Sequence, residues 1–268
     1  MARLSLSKPE TLQEYLVWLP TAGLGALLST LEVHYLHVTA KAKADLEKSP
    51  CWTAVCAALR EWEGEYLAST GSPLLVGPGP NVLVKPWRSL LIKTFRKNVV
   101  ENLRWPEPPE GGWILPGECF ALINDILRAQ IVVKYADAVG FLAGRLAALY
   151  NSHSLPCEVQ WEARETGYYA AHVYGKPTFD LPTLTWKTVS TALSVEMQIT
   201  TQLQDSIRTL LRWHYEAERV HPDPRDHGWQ WDLQSEKFAT CYLGHVLHYL
   251  EAAIVGIRDR QQKEVHNQ

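Results

Sequence analysis

Residues 195–201 read VEMQITT, and every second residue up to Ile199 is apolar. This alternation predicts a β-strand with one apolar face, because successive side chains of a strand point to opposite sides. The other face carries Glu196 and Gln198 side by side. Two interpretations are open for these two residues: the solvated edge of a sheet, or the polar floor of a binding cleft.

The composition is that of an ordinary globular protein. The 268 residues are 46% hydrophobic and 21% charged, with a formal net charge of −3. Such a charge gives no general attraction for nucleic acid, so we expect no DNA partner, and contact with RNA would need a local basic patch. Five scattered cysteines without a CxxC pair argue against a zinc site or a disulfide framework, and suit a reducing cytosol.

We expect a cytoplasmic protein without a membrane span. The apolar stretch 15–28 contains proline and glycine and is too short to cross a bilayer. No secretory signal is visible at the amino terminus.

Helical and strand patterns alternate along the chain, which predicts an α+β fold with a mixed sheet flanked by helices. The predicted helices cover 27–48, 50–69, 86–103, 136–152, 201–219 and 235–261, and the predicted strands cover 131–135, 157–164, 169–174 and 194–200.

Loops rich in glycine and proline suggest how the chain is divided. The loop 70–81 separates a helical N-terminal region, 1–80, from a core at 81–220. After a segment rich in proline and aspartate, residues 221–268 form a C-terminal helical extension. No internal repeat is present.

A row of cations accompanies the predicted helix 86–103. Lys85, Ser89 and Lys93 are spaced four residues apart, so they would share one helical face. Two ammonium groups and a hydroxyl suit the oxygens of a polyphosphate. A solvated helix face is the alternative interpretation. The chain has no GxxxxGK[ST] motif, which excludes a P-loop.

Two further segments carry candidate polar groups. Asp125 immediately precedes a strand pattern, where a carboxylate can bind Mg²⁺ or belong to an ordinary turn. Gly167 permits a tight turn before Tyr168, which could lie under a nucleobase. His172 follows four residues later. A buried tyrosine and a histidine satisfied in the core are the alternative.

The order of these pieces is more specific than any one of them. Lys-x₃-Ser-x₃-Lys, an aspartate before a strand, GY-x₃-H and E-x-Q-I-x-T before a long helix resemble the synthetase domain of the RelA/SpoT family over residues 80–220. The resemblance implies a mixed five-stranded, nucleotidyltransferase-like sheet with flanking helices. It also implies transfer of pyrophosphate from ATP to a ribose 3′-hydroxyl, with Mg²⁺.

The resemblance assigns the donor side to four residues. Lys85, Ser89 and Lys93 would hold the phosphates of ATP, and Asp125 would bind Mg²⁺. Phosphoryl transfer requires mainly positioning and charge neutralisation, which these residue types supply.

The acceptor side is assigned in the same way. Tyr168 would stack on the acceptor base, with His172 and Arg164 near the acceptor's phosphates. Glu196 would activate the attacking hydroxyl and contact the metal, and Gln198 would support it.

Two positions depart from the family pattern. Leu83 and Gln130 stand where the family commonly has the arginines that sandwich the adenine of ATP. Arg88 or Arg128 would have to replace them.

The stretches 195–216 and 242–261 look most like the toxic small alarmone synthetases of toxin–antitoxin pairs, and residues 1–80 lack the ligand motif of a family hydrolase. This resemblance implies a toxin that pyrophosphorylates the 3′-CCA end of tRNA and is neutralised by a cognate antitoxin. Its alternative is a synthetase of (p)ppGpp or (p)ppApp. A third interpretation is a binding module without catalysis.

A tRNA acceptor would need basic residues outside the cleft. The candidates are Lys41, Lys43, Arg96 and Lys97. A solvated helix end is the alternative interpretation of the first two.

Overall fold

The computed structural model describes residues 7–19, 27–210 and 228–266. Within them the α-helices are Leu12–Trp18 (α1), Leu28–Glu47 (α2), Pro50–Thr70 (α3), Trp87–Phe95 (α4), Ala136–Ser152 (α5), Gln202–Leu210 (α6) and Glu236–His266 (α7).

The strands form one large and one small sheet. They are Leu83–Val84 (β1), Leu127–Val133 (β2), Cys157–Ala163 (β3), Tyr169–Gly175 (β4), Thr178–Pro182 (β5), Thr188–Ala192 (β6) and Val195–Thr201 (β7). The five-stranded sheet has the order β1-β2-β7-β4-β3, and β5 pairs with β6 alone. A mixed five-stranded sheet with flanking helices confirms the predicted fold class.

The strand that contains VEMQITT is an interior strand. β7 lies between β2 and β4, and every residue of β7 except the half-buried Gln198 is buried. In the antiparallel pairing of β4 with β7, Glu196 lies opposite Tyr174 and Gln198 opposite His172. The solvated-edge interpretation of this strand is therefore wrong.

The sequence predicted the bounds of several helices closely. α5 spans Ala136–Ser152, which are the predicted bounds. α3 begins at Pro50 after Ser49, whose hydroxyl accepts a hydrogen bond from the backbone N–H of Trp52. α7 continues beyond its predicted end, to His266.

The predicted helix 86–103 is confirmed only in part, and the helical face predicted for Lys85, Ser89 and Lys93 is wrong. The α-helical part ends at Phe95, and a π-helical segment, Arg96–Val100, closes it. Lys85 lies before the helix, directly after β1, with Pro86 at the N-cap position. Lys85 therefore shares no helical face with Ser89 and Lys93.

Three of the described strands, β1, β5 and β6, were not predicted from the sequence. β1 has only two residues, and β5 and β6 form a separate antiparallel hairpin. The predicted helix 201–219 is described as α6 up to Leu210. Its remainder and residues 221–227 of the proline- and aspartate-rich segment lie outside the described residues.

The chain divides into two compact units that interleave in sequence, and the proposed division at residues 80 and 220 stays a prediction. One unit comprises 1–46, 83–127 and 177–194. Its aromatic core packs Tyr15 and Trp18 of α1 with Phe95 of α4.

The other unit comprises 47–82, 128–176 and 195–268. Its interior includes Leu142 and Leu146 of α5 and the apolar residues of β4 and β7. Among the described helices of either unit, none is both long and apolar enough to cross a membrane.

Candidate active site

Two lysines from different elements converge on one aspartate. The Nζ of Lys85 lies 2.8 Å from Asp125 Oδ2, and the Nζ of Lys93 lies 2.8 Å from Asp125 Oδ1. Lys85 directly follows β1, Lys93 belongs to α4, and Asp125 lies in the turn before β2. We call these three residues the lysine–aspartate cluster.

The backbone around Lys85 is fixed on both sides. Its N–H donates to the carbonyl of Ile126 at 2.9 Å. Its carbonyl accepts from the Tyr35 hydroxyl at 2.6 Å. Lys85 is buried, and these two bonds explain how it reaches Asp125 without being part of the helix.

Asp125 is an ion-pair partner of both lysines. Burial alone would raise the pKa of Asp125, but the ammonium groups of Lys85 and Lys93 outweigh burial and lower this pKa to about 2. The aspartate is therefore ionised at neutral pH. Ammonium groups such as those of Lys85 and Lys93 are donors that suit the oxygens of a phosphate ligand. Ser89 is half-buried one helical turn before Lys93.

The carboxylate of Glu196 is held at both oxygens. Tyr174 donates its hydroxyl to Oε1 at 3.0 Å, and Gln198 donates Nε2 to Oε2 at 2.9 Å. His172 Nδ1 lies 3.0 Å from the same Oε1. Only 4% of Glu196 is exposed. We call Glu196, Gln198, His172 and Tyr174 the Glu196 cluster.

The structure brings Tyr168 and Arg164 to the same group. The Tyr168 hydroxyl lies 3.0 Å from His172 Nε2. The guanidinium carbon of Arg164 lies 5.6 Å from the centre of the Tyr168 ring. Burial raises the pKa of Tyr168, so its hydroxyl stays protonated at neutral pH. All five acceptor-side residues predicted from the sequence are therefore neighbours.

Arg164 also pairs with Glu162. The Nε of Arg164 donates to Glu162 Oε2 at 2.6 Å, and this hydrogen bond lowers the pKa of Glu162. The lysine–aspartate cluster belongs to the first compact unit, and the Glu196 cluster with Tyr168 and Arg164 to the second.

Sequence reasoning missed Tyr174, which holds Glu196. Its only signal was period-two spacing from His172, which places both side chains on one face of β4. That spacing could not identify Glu196 as the partner, because the two residues are 22 positions apart.

A second missed group surrounds Gln130. Arg208 of α6 donates Nη2 to Gln130 Oε1 at 2.7 Å and Nη1 to Gln198 Oε1 at 3.2 Å. Gln130 donates Nε2 to Asp205 Oδ1 at 2.6 Å. Arg208 of α6 thus contacts Gln130, one of the two positions where the sequence departs from the pattern that it resembles. Of the predicted replacements, Arg88 is exposed and Arg128 is half-buried.

Ion pairs occupy Lys41, Arg96 and Lys97, which were predicted to contact tRNA. Lys41 lies 2.5 Å from Asp45. Arg96 and Lys97 lie 2.6 Å and 2.9 Å from Glu101. Their partners reduce the local positive charge at both positions.

Asp125 and Glu196 could bind Mg²⁺ only if water or a bound phosphate supplied most of its ligands. The described part of the chain holds no group of three or more histidine, cysteine, aspartate or glutamate side chains that could bind a metal. Asp125 and Glu196 supply one carboxylate each, and both oxygens of each already accept from neighbours. A single carboxylate at either position fits an ion that takes most of its ligands from water and phosphate oxygens.

No family model matches the chain, and no curated protein matches it. Solved structures do match.

Small alarmone synthetase 1 from Bacillus subtilis has a TM-score of 0.53 at 16% identity, over 85% of this chain and 96% of that chain. A GTP pyrophosphokinase family protein from Streptococcus pneumoniae has a TM-score of 0.52 at 17% identity, over 89% of this chain and 97% of that one. The same Bacillus subtilis synthetase bound to its product pppGpp has a TM-score of 0.50 at 17% identity, over 78% and 92%. These likenesses establish the fold of small alarmone synthetases for this chain. The narrower resemblance to their toxic group stays a prediction.

Proposed function

We propose that the protein is an ATP-dependent pyrophosphotransferase that acts on a ribose 3′-hydroxyl. The observation that carries the proposal is the buried carboxylate of Glu196, held at both oxygens on an interior strand of a fold shared with small alarmone synthetases. A buried carboxylate with several polar partners requires a reason, because burial of a charge is costly. A general base for the hydroxyl is such a reason.

In the proposed reaction the ribose oxygen attacks the β-phosphorus of ATP. The bond from that phosphorus to the oxygen shared with the α-phosphate breaks, and AMP leaves. The hydroxyl proton passes to Glu196, whose orientation is set by Tyr174 and Gln198. The product carries a new pyrophosphate on its 3′ oxygen.

The lysine–aspartate cluster takes the donor role in this proposal. Lys85 and Lys93 would contact phosphate oxygens of ATP, and the Ser89 hydroxyl would add a donor. Asp125, with Glu196 as a second candidate, would hold a Mg²⁺ ion that arrives with ATP. When bound, this ion would neutralise phosphate charge.

The acceptor base would stack on Tyr168, and Arg164 and His172 would lie near the acceptor's phosphates. Base stacking on an aromatic side chain tolerates any base, so this assignment selects no particular nucleotide.

The 3′-CCA adenosine of tRNA is the first proposed acceptor, and the protein would then be a translation-inhibiting toxin with a cognate antitoxin. The support is the sequence resemblance to the toxic synthetases. A free nucleotide, giving (p)ppGpp or (p)ppApp, is the second candidate. Two observations favour it: the ion pairs of Lys41, Arg96 and Lys97, and a similar solved structure that contains pppGpp.

Labelling of separate acceptors distinguishes tRNA from a free nucleotide. The purified protein is incubated with γ-labelled ATP, Mg²⁺ and one acceptor at a time: bulk tRNA, GDP, GTP or AMP. Label on the tRNA 3′ end supports the toxin, and label only on a nucleotide supports the alarmone synthetase. Absence of label on every acceptor favours a binding module without catalysis.

Growth of cells tests the toxin separately. Induction should arrest growth unless the antitoxin is present, and a Glu196→Gln variant should not arrest it. Normal growth at high levels of active protein would contradict the toxin proposal.

A further inference from the structure

We propose that Gly244 and His245 of α7 are positioning residues for Tyr168. The inference rests on the proposed function, because that function gives Tyr168 the acceptor base. It assigns the C-terminal helix a role in acceptor binding, although neither residue would touch a substrate.

The first observation is a contact between two backbones. Gly167, directly before Tyr168, has φ +75°, which is unfavourable for residues with a side chain. A Cβ on Gly167 would lie 2.3 Å from the carbonyl oxygen of Cys241 and 2.9 Å from Gly244 Cα. A Cβ on Gly244 would lie 2.4 Å from the carbonyl oxygen of Gly167. The close approach of α7 to the turn before Tyr168 therefore requires glycine at both positions, 167 and 244.

The second observation is a pair of hydrogen bonds from one imidazole. His245 Nε2 lies 2.9 Å from the carbonyl oxygen of Glu165, and Nδ1 lies 2.8 Å from the Tyr169 hydroxyl. A carbonyl only accepts, so Nε2 carries the proton and donates to it. In the neutral ring Nδ1 is then the acceptor, and the tyrosine hydroxyl donates to it.

These contacts fix the turn on both sides of Tyr168. Within the turn, the Gly167 N–H donates to the Arg164 carbonyl at 2.9 Å, and the Arg164 N–H donates to the Tyr168 carbonyl at 3.0 Å. His245 holds Glu165 before Tyr168 and Tyr169 after it.

The helix that provides these contacts is itself anchored. Gln204 of α6 donates Nε2 to the Gly244 carbonyl at 3.2 Å. One helical turn along α7, His248 stacks on the Tyr169 ring at 3.7 Å between ring centres, with 8° between the planes. The backbone that presents Tyr168 is therefore positioned by α7 before any acceptor binds.

Two variants test the proposal. His245→Phe keeps an aromatic ring and removes both hydrogen bonds, and Gly244→Ala forces the turn away from the helix. The matched control for the glycine is Gly144→Ala in α5, where a Cβ would meet nothing within 4 Å. The control for the histidine is Val246→Ala, on the exposed side of α7.

We expect both test variants to raise the KM for the acceptor by about tenfold or more, because a misplaced ring stacks poorly on the base and stacking contributes about that factor to affinity. The KM for ATP should change less than about twofold, because α7 does not contribute to the lysine–aspartate cluster. Amide hydrogen exchange should become faster in peptides that cover residues 161–170. The controls should match the unmodified protein in all three measurements.

Unchanged exchange at residues 161–170 in His245→Phe would overturn the proposal, and so would faster exchange with an unchanged acceptor KM. If Gly244→Ala fails to fold, His245→Phe decides alone. The exchange measurement needs no substrate, so it tests the positioning role of α7 by itself. Failure of the proposed function would appear separately, as no pyrophosphate transfer by the unmodified protein.

Discussion

Tyr174 and Glu196 are directly opposed on β4 and β7, and the tyrosine hydroxyl donates to Glu196 Oε1 at 3.0 Å. Gln198 occupies the other carboxylate oxygen. Donors at both oxygens fix the rotation of the carboxylate, which determines where a substrate hydroxyl could meet it. Catalysis depends both on the presence of a general base and on its orientation toward the substrate hydroxyl.

Removal of the Tyr174 hydroxyl should lower kcat and leave the two KM values nearly unchanged. We expect Tyr174→Phe to reduce kcat by about ten- to a hundredfold, because a hydrogen bond to a charged group is worth about 1.5–3 kcal/mol. Steady-state kinetics with Tyr249→Phe as the control check this, since Tyr249 is 73% exposed. A kcat equal to that of the control would mean that the hydroxyl does not position Glu196.

Loss of the Tyr168 ring should affect the acceptor more than ATP. Stacking of one base is worth about 1–3 kcal/mol, so Tyr168→Ala should raise the acceptor KM by about five- to a hundredfold and barely change ATP binding. Tyr168→Phe keeps the ring and should retain most of the acceptor affinity. Equal weakening of both substrates by Tyr168→Ala would identify the ring as a structural core residue.

Stability should depend on pH through Asp125. Its pKa is lowered from 3.8 to about 2 in the folded protein, so its contribution is complete above about pH 4 and is lost as the pH falls through 2. Asp125→Asn should therefore lower the free energy of unfolding at pH 7 by about 2 kcal/mol. The difference from the unmodified protein should shrink below pH 4. Urea unfolding at pH 7, 4 and 3 measures it, and a difference that is independent of pH would contradict the assignment.

Charge reversal separates a tRNA acceptor from a free nucleotide. If tRNA is the acceptor, Lys41→Glu and Lys43→Glu together should weaken its labelling. Each phosphate contact that these changes remove should lower the slope of log affinity against log salt by about one. Lys187→Glu, on the β5–β6 hairpin, is the control. The pair Arg96 and Lys97 is a less clean test, because it lies close to α4. An unchanged salt slope in all these variants would exclude this tRNA surface.

The fold was largely predictable because its main elements have long, regular patterns. The bounds of α5 follow from its apolar spacing, and the position of β7 follows from the alternation of its apolar residues. β1 has two residues, too few for any periodicity. The shared helical face of Lys85, Ser89 and Lys93 was predicted wrongly, because spacing by four residues fits an extended Lys85 before a helix as well as it fits a helix.

The candidate site was predictable in its residue types and less so in its contacts. Glu196 and Gln198 were identified from their polar face, but the choice of Tyr174 as partner depends on the register of β4 against β7. The contact of Arg208 with Gln130 joins residues 78 positions apart, and no local pattern predicts it. The contact of His245 with the Tyr168 turn is equally remote in sequence.

The identity of the nucleotide released from ATP tests the central claim most directly. The purified protein is incubated with γ-labelled ATP, Mg²⁺ and its best acceptor, and the products are separated and counted. We predict one AMP for each labelled acceptor, no ADP, and at least a hundredfold lower rate for Glu196→Gln, since general base catalysis contributes about 10²–10⁴. Release of ADP, or AMP formation without label on any acceptor, would contradict pyrophosphate transfer.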